Sequence, residues 1–300
     1  MANPSIPERI PKEYCVFRGK NAYPQNPEQF ALDSSTSGVF TTFRTYRIEG
    51  ETVSETAGET LAPGSGTRHG IIGFAHHLER LLDNAQLAAC LSAGKATHRR
   101  FLEQELPARL SGYLASLGGS FEARARIVIR QTGEFEFFFE PYIPPWPLQT
   151  PIPVRTFEAK RPTPEIKSTD LNISRAARIW CETQNAQEAL LLDNNMLREG
   201  AWSNVFWTDS LGTLHTPASG LLPGVTRKLI LELEPCILQD ISVQEFLFSA
   251  VEVFVTQSTS GVTPVTSING RALPNECPGR RTKEIMKRYA ECVQQESLIL

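Results

Sequence analysis

The sequence has no long apolar run and no basic stripe. No window approaches the roughly 18 uninterrupted apolar residues that a transmembrane helix requires, so we expect no membrane partner. The net charge is −3 and no basic run is interleaved with aromatic residues, so we expect no nucleic-acid partner. The first residues, MANPSIPERIPKEY, are polar and proline-rich, unlike a secretory signal peptide. Together these absences predict a cytoplasmic protein.

The sequence also lacks clustered metal ligands. Its six cysteines are far apart, with no CxxC pair, and its five histidines are scattered except for His76 and His77. Neighbouring residues on a helix point about 100° apart, so this pair does not form a two-ligand face. We therefore predict no metal site and no disulfide framework.

The clearest boundary in the chain is a proline-rich segment. PYIPPWPLQTPIPV, at 141–154, contains six prolines and can form neither a helix interior nor a central strand. We predict an N-terminal lobe at 1–140, a connector at 141–154 and a C-terminal lobe at 155–300. Strands and helices are mixed in both lobes, which favours an α+β fold over a doubly wound parallel sheet.

Hydrophobic periodicity predicts the elements of each lobe. The N-terminal lobe is predicted to contain a strand pair within 37–53 that turns at Glu49-Gly50, a loop at 55–70, two helices, and two strands around Thr132-Gly133. In the C-terminal lobe we predict strands near 153–159, 188–193, 203–209, 213–216, 251–256 and 262–267, and helices near 169–185, 225–234, 244–250 and 281–296.

Lys167 is the first residue with a chemical interpretation. It lies in TPEIKSTDLN, between a predicted strand and a predicted helix, and the following Ser168, Thr169 and Asp170 are typical of helix N-caps. A lone lysine is usually solvated. A buried one has a lowered pKa, and it can form a Schiff base or act as a base.

Glu199, in REGAWSNVF, has two interpretations. It is either an exposed acid of a hairpin turn or a carboxylate held inside the protein. In the second case it must meet a positive partner, because an unpaired buried charge is too costly.

Two segments are typical of backbone that binds phosphate. In LLPGVTR, Gly224 precedes a predicted helix whose first residues are Val225 and Thr226, and the free N–H groups of a helix start suit an anion. In TQSTSG, a strand opens into a turn that begins with Ser258 and Thr259. Each segment alone is equally consistent with an ordinary loop.

The four features together describe one cofactor. A lysine for a Schiff base, a carboxylate for a ring nitrogen and two cradles for a phosphate are what pyridoxal 5′-phosphate requires. Lys167 and Glu199 are far enough apart in the sequence for one helix and one hairpin between them.

Six segments, in this order, resemble the class IV aminotransferases, the pyridoxal phosphate enzymes of fold type IV. They are GVFTTFRTY, HHLERLLDNA, REGAWSNVF, LHTP, LLPGVTR and GVTPV. The family includes branched-chain and D-amino-acid aminotransferases, R-selective amine transaminases and aminodeoxychorismate lyase. The resemblance covers most of the chain and implies a smaller N-terminal lobe, a larger C-terminal lobe and a homodimer.

The resemblance also implies a role for each matching residue. Lys167 would form the Schiff base and move the proton between the substrate Cα and the cofactor, and Glu199 would accept the pyridinium N–H. The residues implied to bind the phosphate are Arg80, Val225, Thr226, Ser258 and Thr259.

The implied reaction is transfer of an amino group between an amino acid or amine and a 2-keto acid, in two half-reactions. The Arg-x-His pair of D-amino-acid aminotransferases is absent from IVIRQTGEFEFFFEPY, so Arg44 and Arg130 are the candidates for binding a substrate carboxylate. Each is otherwise a strand-edge arginine that faces water.

Two alternatives to the aminotransferase remain. GVFTTFRTY is closest in wording to aminodeoxychorismate lyase, which would use the same lysine and glutamate to expel pyruvate from an aminated chorismate. The second alternative is a non-catalytic binding protein of the same fold, against which the presence of both Lys167 and Glu199 argues.

Overall fold

The computed structural model describes residues 37–48, 68–90, 95–117, 121–142, 150–274 and 276–300, together with the backbone of two strands at 14–18 and 21–25. The chain divides into two compact units. The N-terminal unit comprises residues 1–143 and 296–300, and the C-terminal unit comprises residues 144–295. The predicted turn at Glu49-Gly50, residues 55–67 of the predicted loop and residues 143–149 of the predicted connector lie outside the described residues.

The N-terminal unit contains an antiparallel sheet and two helices. Its first seven strands are β1 Tyr14–Arg18, β2 Asn21–Gln25, β3 Gly38–Arg44, β4 Tyr46–Ile48, β5 Arg68–Ile71, β6 Ala123–Arg130 and β7 Phe135–Pro141, and its helices are α1 Phe74–Leu87 and α2 Lys95–Ser116. Five of these strands form one sheet in the order β2-β1-β7-β6-β3, while β4 pairs with β5 in a smaller sheet.

Helix α1 forms where the apolar spacing predicts it. Leu78, Leu81, Leu82 and Ala85 are fully buried, and their spacing of three and four residues places them on one face of the helix. The helix packs this face against β3. The predicted helices and the predicted hairpin around Thr132-Gly133 are confirmed in this unit.

The C-terminal unit is built on one mixed sheet. Its strands are β8 Ile152–Glu158, β9 Glu188–Asp193, β10 Met196–Gly200, β11 Asn204–Thr208, β12 Leu214–Thr216, β13 Ile237–Leu238, β14 Glu252–Gln257, β15 Gly261–Ile268 and β16 Arg271–Ala272, and its helices are α3 Asn172–Thr183, α4 Val225–Leu233, α5 Val243–Ser249 and α6 Arg280–Glu296. The order is β10-β9-β8-β15-β14-β11-β12-β13, with β16 on β15. The mixture of helices with parallel and antiparallel strands confirms the predicted α+β class.

Strand β9 shows how the two sides of this sheet are covered. Leu190 and Leu192 belong to a buried cluster that includes Phe246 of α5, whereas Ala189 and Leu191 belong to a second cluster with residues of α3. Successive side chains of a strand point to opposite faces, so the apolar run from Ala189 to Leu192 is buried on both faces of the sheet.

The last strand returns to the N-terminal unit. It is β17, Leu298–Ile299, and it pairs antiparallel with β5 to complete a three-stranded sheet in the order β17-β5-β4. The prediction assigned these residues to the C-terminal lobe, whereas the last five residues group with the N-terminal unit.

Several local predictions are wrong. The predicted loop at 55–70 is wrong at its end, because residues 68–70 belong to β5. Of the predicted strand pair within 37–53, residues 49–53 lie outside the described residues, and the described part contains β3, which pairs with β6, and β4, which pairs with β5. Strand β10 was not predicted. Helix α3 begins at Asn172, its N-cap is Leu171 without a side-chain cap, and Asp170 instead accepts the Asn172 N–H at 3.1 Å.

Among the described residues, no helix combines the length and the apolar character needed to cross a bilayer.

The β9 core gives a test of the fold. Leu190 is fully buried, so Leu190→Ala is expected to lower the free energy of unfolding by about 2–5 kcal/mol through the lost burial and the cavity left behind. Leu211→Ala is the control, because Leu211 is 89% exposed, and its effect should stay within about 0.5 kcal/mol. Urea unfolding measures both, and equal losses in the two variants would contradict the assigned core.

Candidate active site

The candidate site centres on Glu199, in β10. Glu199 is only 4% exposed. Its Oε1 accepts a hydrogen bond from Nη1 of Arg161 at 2.6 Å, and its Oε2 accepts the Leu222 N–H at 2.9 Å. Of the two interpretations of this acid, the buried carboxylate with a positive partner is the one that the structure shows.

Burial and the neighbouring groups shift the pKa of Glu199 in opposite directions. Burial raises the pKa of Glu199, while the charge of Arg161, the Leu222 N–H and the charge of Lys167 each act to lower it. The net direction is upward. Both nearby cations therefore favour the ionised form of a carboxyl that burial alone would neutralise.

Arg161 connects Glu199 to the segment that carries Lys167. Besides its ion pair with Glu199, its Nη1 donates to the Pro164 carbonyl at 3.2 Å and its Nη2 donates to the Ile166 carbonyl at 3.0 Å. The guanidinium thus organises residues 161–166 around itself. Lys167 follows directly, half-buried, between β8 and α3.

The start of α4 is open. Its N-cap is Gly224, in an extended conformation, and no side chain in the described part of the chain caps the first turn. Val225 and Thr226 are each 3% exposed. A Cβ added to Gly224 would collide with Oδ1 of Asn204, so only glycine fits here. An uncapped helix start leaves backbone N–H groups available to an anion.

Asn204, in β11, ties this helix start to the neighbouring strand. Its Nδ2 donates to the Leu222 carbonyl at 2.9 Å, and across the sheet it pairs with Thr256 of β14. The Thr256 hydroxyl is buried and has no hydrogen-bond partner among the described residues. The pairing of β11 with β14 therefore places Asn204, and the residues before α4 that it contacts, near the end of β14. The second predicted cradle begins there.

The second cradle lies in the turn between β14 and β15. Ser258 is half-buried and Thr259 is 8% exposed. The Ser260 hydroxyl donates to Oε1 of Gln257 at 2.9 Å. Gly261 ends the turn with a φ of 70°, a left-handed conformation that favours glycine.

The three predicted arginines belong to the N-terminal unit, and all are buried rather than facing water. Arg80 donates to Oγ1 of Thr41 at 3.1 Å, and burial lowers its pKa to about 10. Arg80 is therefore not a solvated arginine of the helix surface.

Arg44 and Arg130 each have a carboxylate partner. Nη1 of Arg44 lies 3.4 Å from Oε2 of Glu122, and its guanidinium lies 4.1 Å from the centre of the Tyr46 ring. Nε of Arg130 donates to Glu136 at 2.8 Å. A carboxylate-binding role for either arginine stays a prediction, and the water-facing alternative is wrong for both.

A second buried acid lies next to Gly200, the residue that follows Glu199. Glu188, 4% exposed, accepts hydrogen bonds from the Ser203 hydroxyl at 2.8 Å and from the Ala189 N–H at 2.9 Å. A Cβ added to Gly200 would collide with that hydroxyl. Burial raises the pKa of Glu188 to about 7. The carboxyl thus fixes the turn at 200–203, directly after Glu199.

Three residues of this arrangement were not predicted from the sequence: Arg161, Glu188 and Asn204. Arg161 lies in KRPTPEIK, where prolines flank an arginine shortly before Lys167. Since a buried carboxylate requires a cation, an arginine in the same connection was a usable signal. Glu188 and Asn204 show no such signal in the sequence. Their partners, Ser203 and Leu222, lie in connections whose position depends on how the strands pair.

Comparison with known proteins identifies the family. The sequence model of the amino-transferase class IV family matches residues 38–268. The chain is 31% identical over 187 residues to a "Probable branched-chain-amino-acid aminotransferase" of Thermotoga maritima, covering 56% of this chain and 65% of that protein. It is 29% identical over 140 residues to the D-alanine aminotransferase of Bacillus licheniformis, covering 44% and 49%. The chain thus spans less than two thirds of either relative.

A solved structure shows the same fold over nearly the whole chain. The branched-chain amino acid aminotransferase of Thermobaculum terrenum, in its pyridoxal phosphate form, superposes with a TM-score of 0.72 at 17% identity, covering 97% of this chain and 98% of that one. At this identity the likeness establishes the fold alone.

Glu188 gives a pH-dependent prediction. Its folded pKa of about 7 lies above its ordinary value of 4.5, so the folded state holds this proton more tightly than the unfolded chain. Its contribution to stability is full below pH 4.5 and is lost as the pH rises to about 7. Glu188→Gln removes this titration, and the fall in Tm between about pH 5 and pH 7.5 should become smaller than in the wild type.

The control is Glu182→Gln, because the Glu182 side chain is 63% exposed on α3. This variant should keep the wild-type dependence of Tm on pH. The same slope in Glu188→Gln and in the wild type would show that Glu188 does not titrate in this range.

Proposed function

The chain belongs to the class IV amino-transferase family, and on that premise we propose that it is a pyridoxal-phosphate-dependent aminotransferase. Its reaction would move an amino group between an amino acid or amine and a 2-keto acid in two half-reactions. The observation that carries the proposal is the buried Glu199 carboxylate, held by Arg161 and the Leu222 N–H and within the electrostatic reach of Lys167.

The residues present fit the cofactor. A buried carboxylate suits a protonated ring nitrogen, and the uncapped start of α4 suits a phosphate. The buried Thr256 hydroxyl, without a partner among the described residues, adds an unused hydrogen-bonding group beside the second cradle. Both cradles and Glu199 belong to the C-terminal unit, as does Lys167.

Bound pyridoxal 5′-phosphate would supply an aldehyde carbon for the amino group and a pyridine ring that withdraws electrons from the substrate Cα. The Lys167 Nζ would hold the cofactor covalently and then, once released, remove and return the proton at Cα. The Glu199 carboxylate would accept the ring N–H and keep that nitrogen protonated. Arg161 pairs with Oε1 and the Leu222 N–H with Oε2, so the carboxyl is held at both oxygens, and the charge of Arg161 favours its ionised form.

The phosphate-binding roles are assigned to backbone and to one arginine. Val225 and Thr226 would donate their N–H groups from the first turn of α4, and Ser258 and Thr259 would donate from the turn after β14. Arg80 is proposed as the charged partner of the phosphate. Its burial supports this, because a desolvated guanidinium gains more from an anion than an exposed one.

The remaining assignments rest on the family resemblance. Arg44 and Arg130 are the proposed contacts for a substrate carboxylate, and a homodimer in the cytoplasm is the proposed assembly and location. The proposed division into lobes follows the proline-rich segment at 141–154, in which the boundary between the two units falls at 143 and 144.

A half-reaction screen tests the activity directly. The protein with pyridoxal 5′-phosphate is mixed with panels of L-amino acids, D-amino acids and R-amines, and the cofactor absorbance is followed. A spectral change with one panel and return of the spectrum on adding a 2-keto acid support the proposal. Pyruvate release from aminodeoxychorismate would instead favour the lyase, and a protein that shows no absorbance from added cofactor would refute the cofactor assignment.

Lys167→Ala tests the covalent role. The variant is expected to bind the cofactor only non-covalently and to lose turnover by more than about a hundredfold, since it lacks the group that moves the proton. Borohydride reduction followed by peptide mass spectrometry should fix the cofactor to the wild type and not to the variant. Lys160→Ala is the control, because its side chain is 67% exposed. Covalent fixation to the Lys167→Ala chain would overturn the assignment.

Glu199→Gln tests the ring contact. A neutral amide cannot hold the pyridine nitrogen protonated, so the rate of proton removal should fall by about a hundredfold while cofactor affinity changes much less. Stopped-flow half-reactions give the first quantity and absorbance titration the second. Glu182→Gln, on the exposed face of α3, serves as the matched control. Wild-type rates in Glu199→Gln would remove this residue from the mechanism.

A further inference from the structure

Arg198 precedes Glu199 in β10. Both side chains contact the loop at 217–224, Glu199 at Leu222 and Arg198 at Ser219. Its Nη1 lies 3.3 Å from the Ser219 hydroxyl, 3.4 Å from the Ser219 carbonyl oxygen and 3.2 Å from Oδ1 of Asp240. The Arg198 side chain is 17% exposed. A largely desolvated arginine with these partners is an anchor rather than a solvated surface charge.

Asp240 pairs with Arg198 and also contacts the same loop. Its Oδ1 accepts the N–H groups of Ala218 and Ser219 at 3.1 and 3.0 Å, and its Oδ2 accepts the Ser219 hydroxyl at 2.5 Å. Burial acts to raise the pKa of Asp240, but the Ser219 hydrogen bonds and the charge of Arg198 outweigh it, so the pKa is lowered. The carboxylate is therefore ionised and pairs with Arg198 while it binds the loop backbone.

Gly220 lets the loop lie directly on the Arg198 side chain. Its φ is 68°, and a Cβ there would lie 2.9 Å from Cδ of Arg198. Both the left-handed backbone and this close approach require glycine. The methylene stem of Arg198 thus supports the loop, in addition to the hydrogen bonds made by its head.

Two residues further on, the loop reaches the candidate site. The Leu222 N–H donates to Glu199 and the Leu222 carbonyl accepts from Asn204. Gly224 then starts α4. Arg198 and Asp240 therefore hold the loop at Ser219, and Glu199 holds it at Leu222.

We infer that Arg198 and Asp240 are positioning residues that fix the loop at 217–224. They present the Leu222 N–H to Glu199 and set the start of α4 for an anion. Neither residue contacts the reacting atoms, so neither is a catalytic residue. The effect on the cofactor rests on the proposed function, whereas the effect on the loop does not.

The first experiment measures the loop without cofactor. Arg198→Met keeps the apolar stem under Gly220 and removes the hydrogen-bonding head. Hydrogen exchange with mass spectrometry on the full-length apoprotein should show a peptide spanning 217–224 exchanging about tenfold faster than in the wild type. Arg280→Met is the matched control, because the Arg280 side chain is 93% exposed and pairs only with Glu284 among the contacts described. Unchanged exchange in Arg198→Met would overturn the inference.

The second experiment measures the cofactor. Titration of apoprotein with pyridoxal 5′-phosphate should give a Kd raised about fivefold to tenfold in Arg198→Met and unchanged in Arg280→Met. A merely destabilised variant would lower Tm with no change in Kd, and that result would overturn the positioning role. If the wild type itself binds no cofactor, the proposed function fails, and the exchange measurement still decides whether Arg198 holds the loop.

A double-mutant cycle tests whether the two residues act as one unit. Asp240→Asn alone should also accelerate exchange at 217–224. If Arg198 and Asp240 act through the same contacts, the double variant should exchange no faster than the more affected single variant. Additive acceleration would show two independent supports and would contradict a shared role.

Discussion

The ion pair between Arg161 and Glu199 is the interaction on which the candidate site depends. A carboxylate removed from water requires more than one compensating partner, and Glu199 has a cation at one oxygen and a backbone N–H at the other. Because Arg161 also holds the Pro164 and Ile166 carbonyls, the same pair fixes the connection that leads to Lys167. This ion pair thus links Glu199 to the segment that ends at Lys167.

The two buried acids of this region are stabilised in different ways. Glu188 is surrounded by a hydroxyl and backbone N–H groups, and its pKa rises to about 7. Glu199 has two cations in addition to its backbone donor. Neutral donors alone leave the pKa of Glu188 near 7, whereas the two cations near Glu199 offset part of the rise in pKa that burial causes. Adjacent segments of one sheet therefore support two carboxyl groups with different chemistry.

Local sequence patterns predicted the fold well where burial is periodic and poorly where it is not. The spacing of Leu78, Leu81 and Leu82 indicated α1, and β9, with its apolar run from Ala189 to Leu192, was predicted with its observed bounds. Strand β10 was missed because Arg198 and Glu199 break the apolar pattern that identifies a buried strand. Their burial depends on partners far away in the sequence, which periodicity does not report.

In the candidate site too, local sequence identified single residues but not the pairs that they form. Lys167, Glu199 and Gly224 could be singled out because residue type and local context suggest a chemistry. The pairs Arg161–Glu199 and Arg198–Asp240 could not be assigned, because each forms only once the fold brings a distant segment beside β10. The predicted capping of α3 by Ser168, Thr169 or Asp170 is wrong, because the helix begins at Asn172 and its N-cap is Leu171.

The return of the C-terminus has a consequence for how the molecule can be divided. Strand β17 pairs with β5, and the Leu300 N–H donates to the His69 carbonyl at 2.9 Å. The polypeptide therefore passes from one unit to the other twice. After a single cleavage between 143 and 144, β17 would stay attached through α6 to the C-terminal piece, and it would be joined to β5 of the N-terminal piece only by non-covalent pairing. A fragment starting at 144 would carry a strand without its partner, and one ending at 143 would leave an edge of β5 unpaired. The N-terminal unit is thus discontinuous in sequence and cannot be isolated intact by truncation at 143, whereas the C-terminal unit is the contiguous segment 144–295.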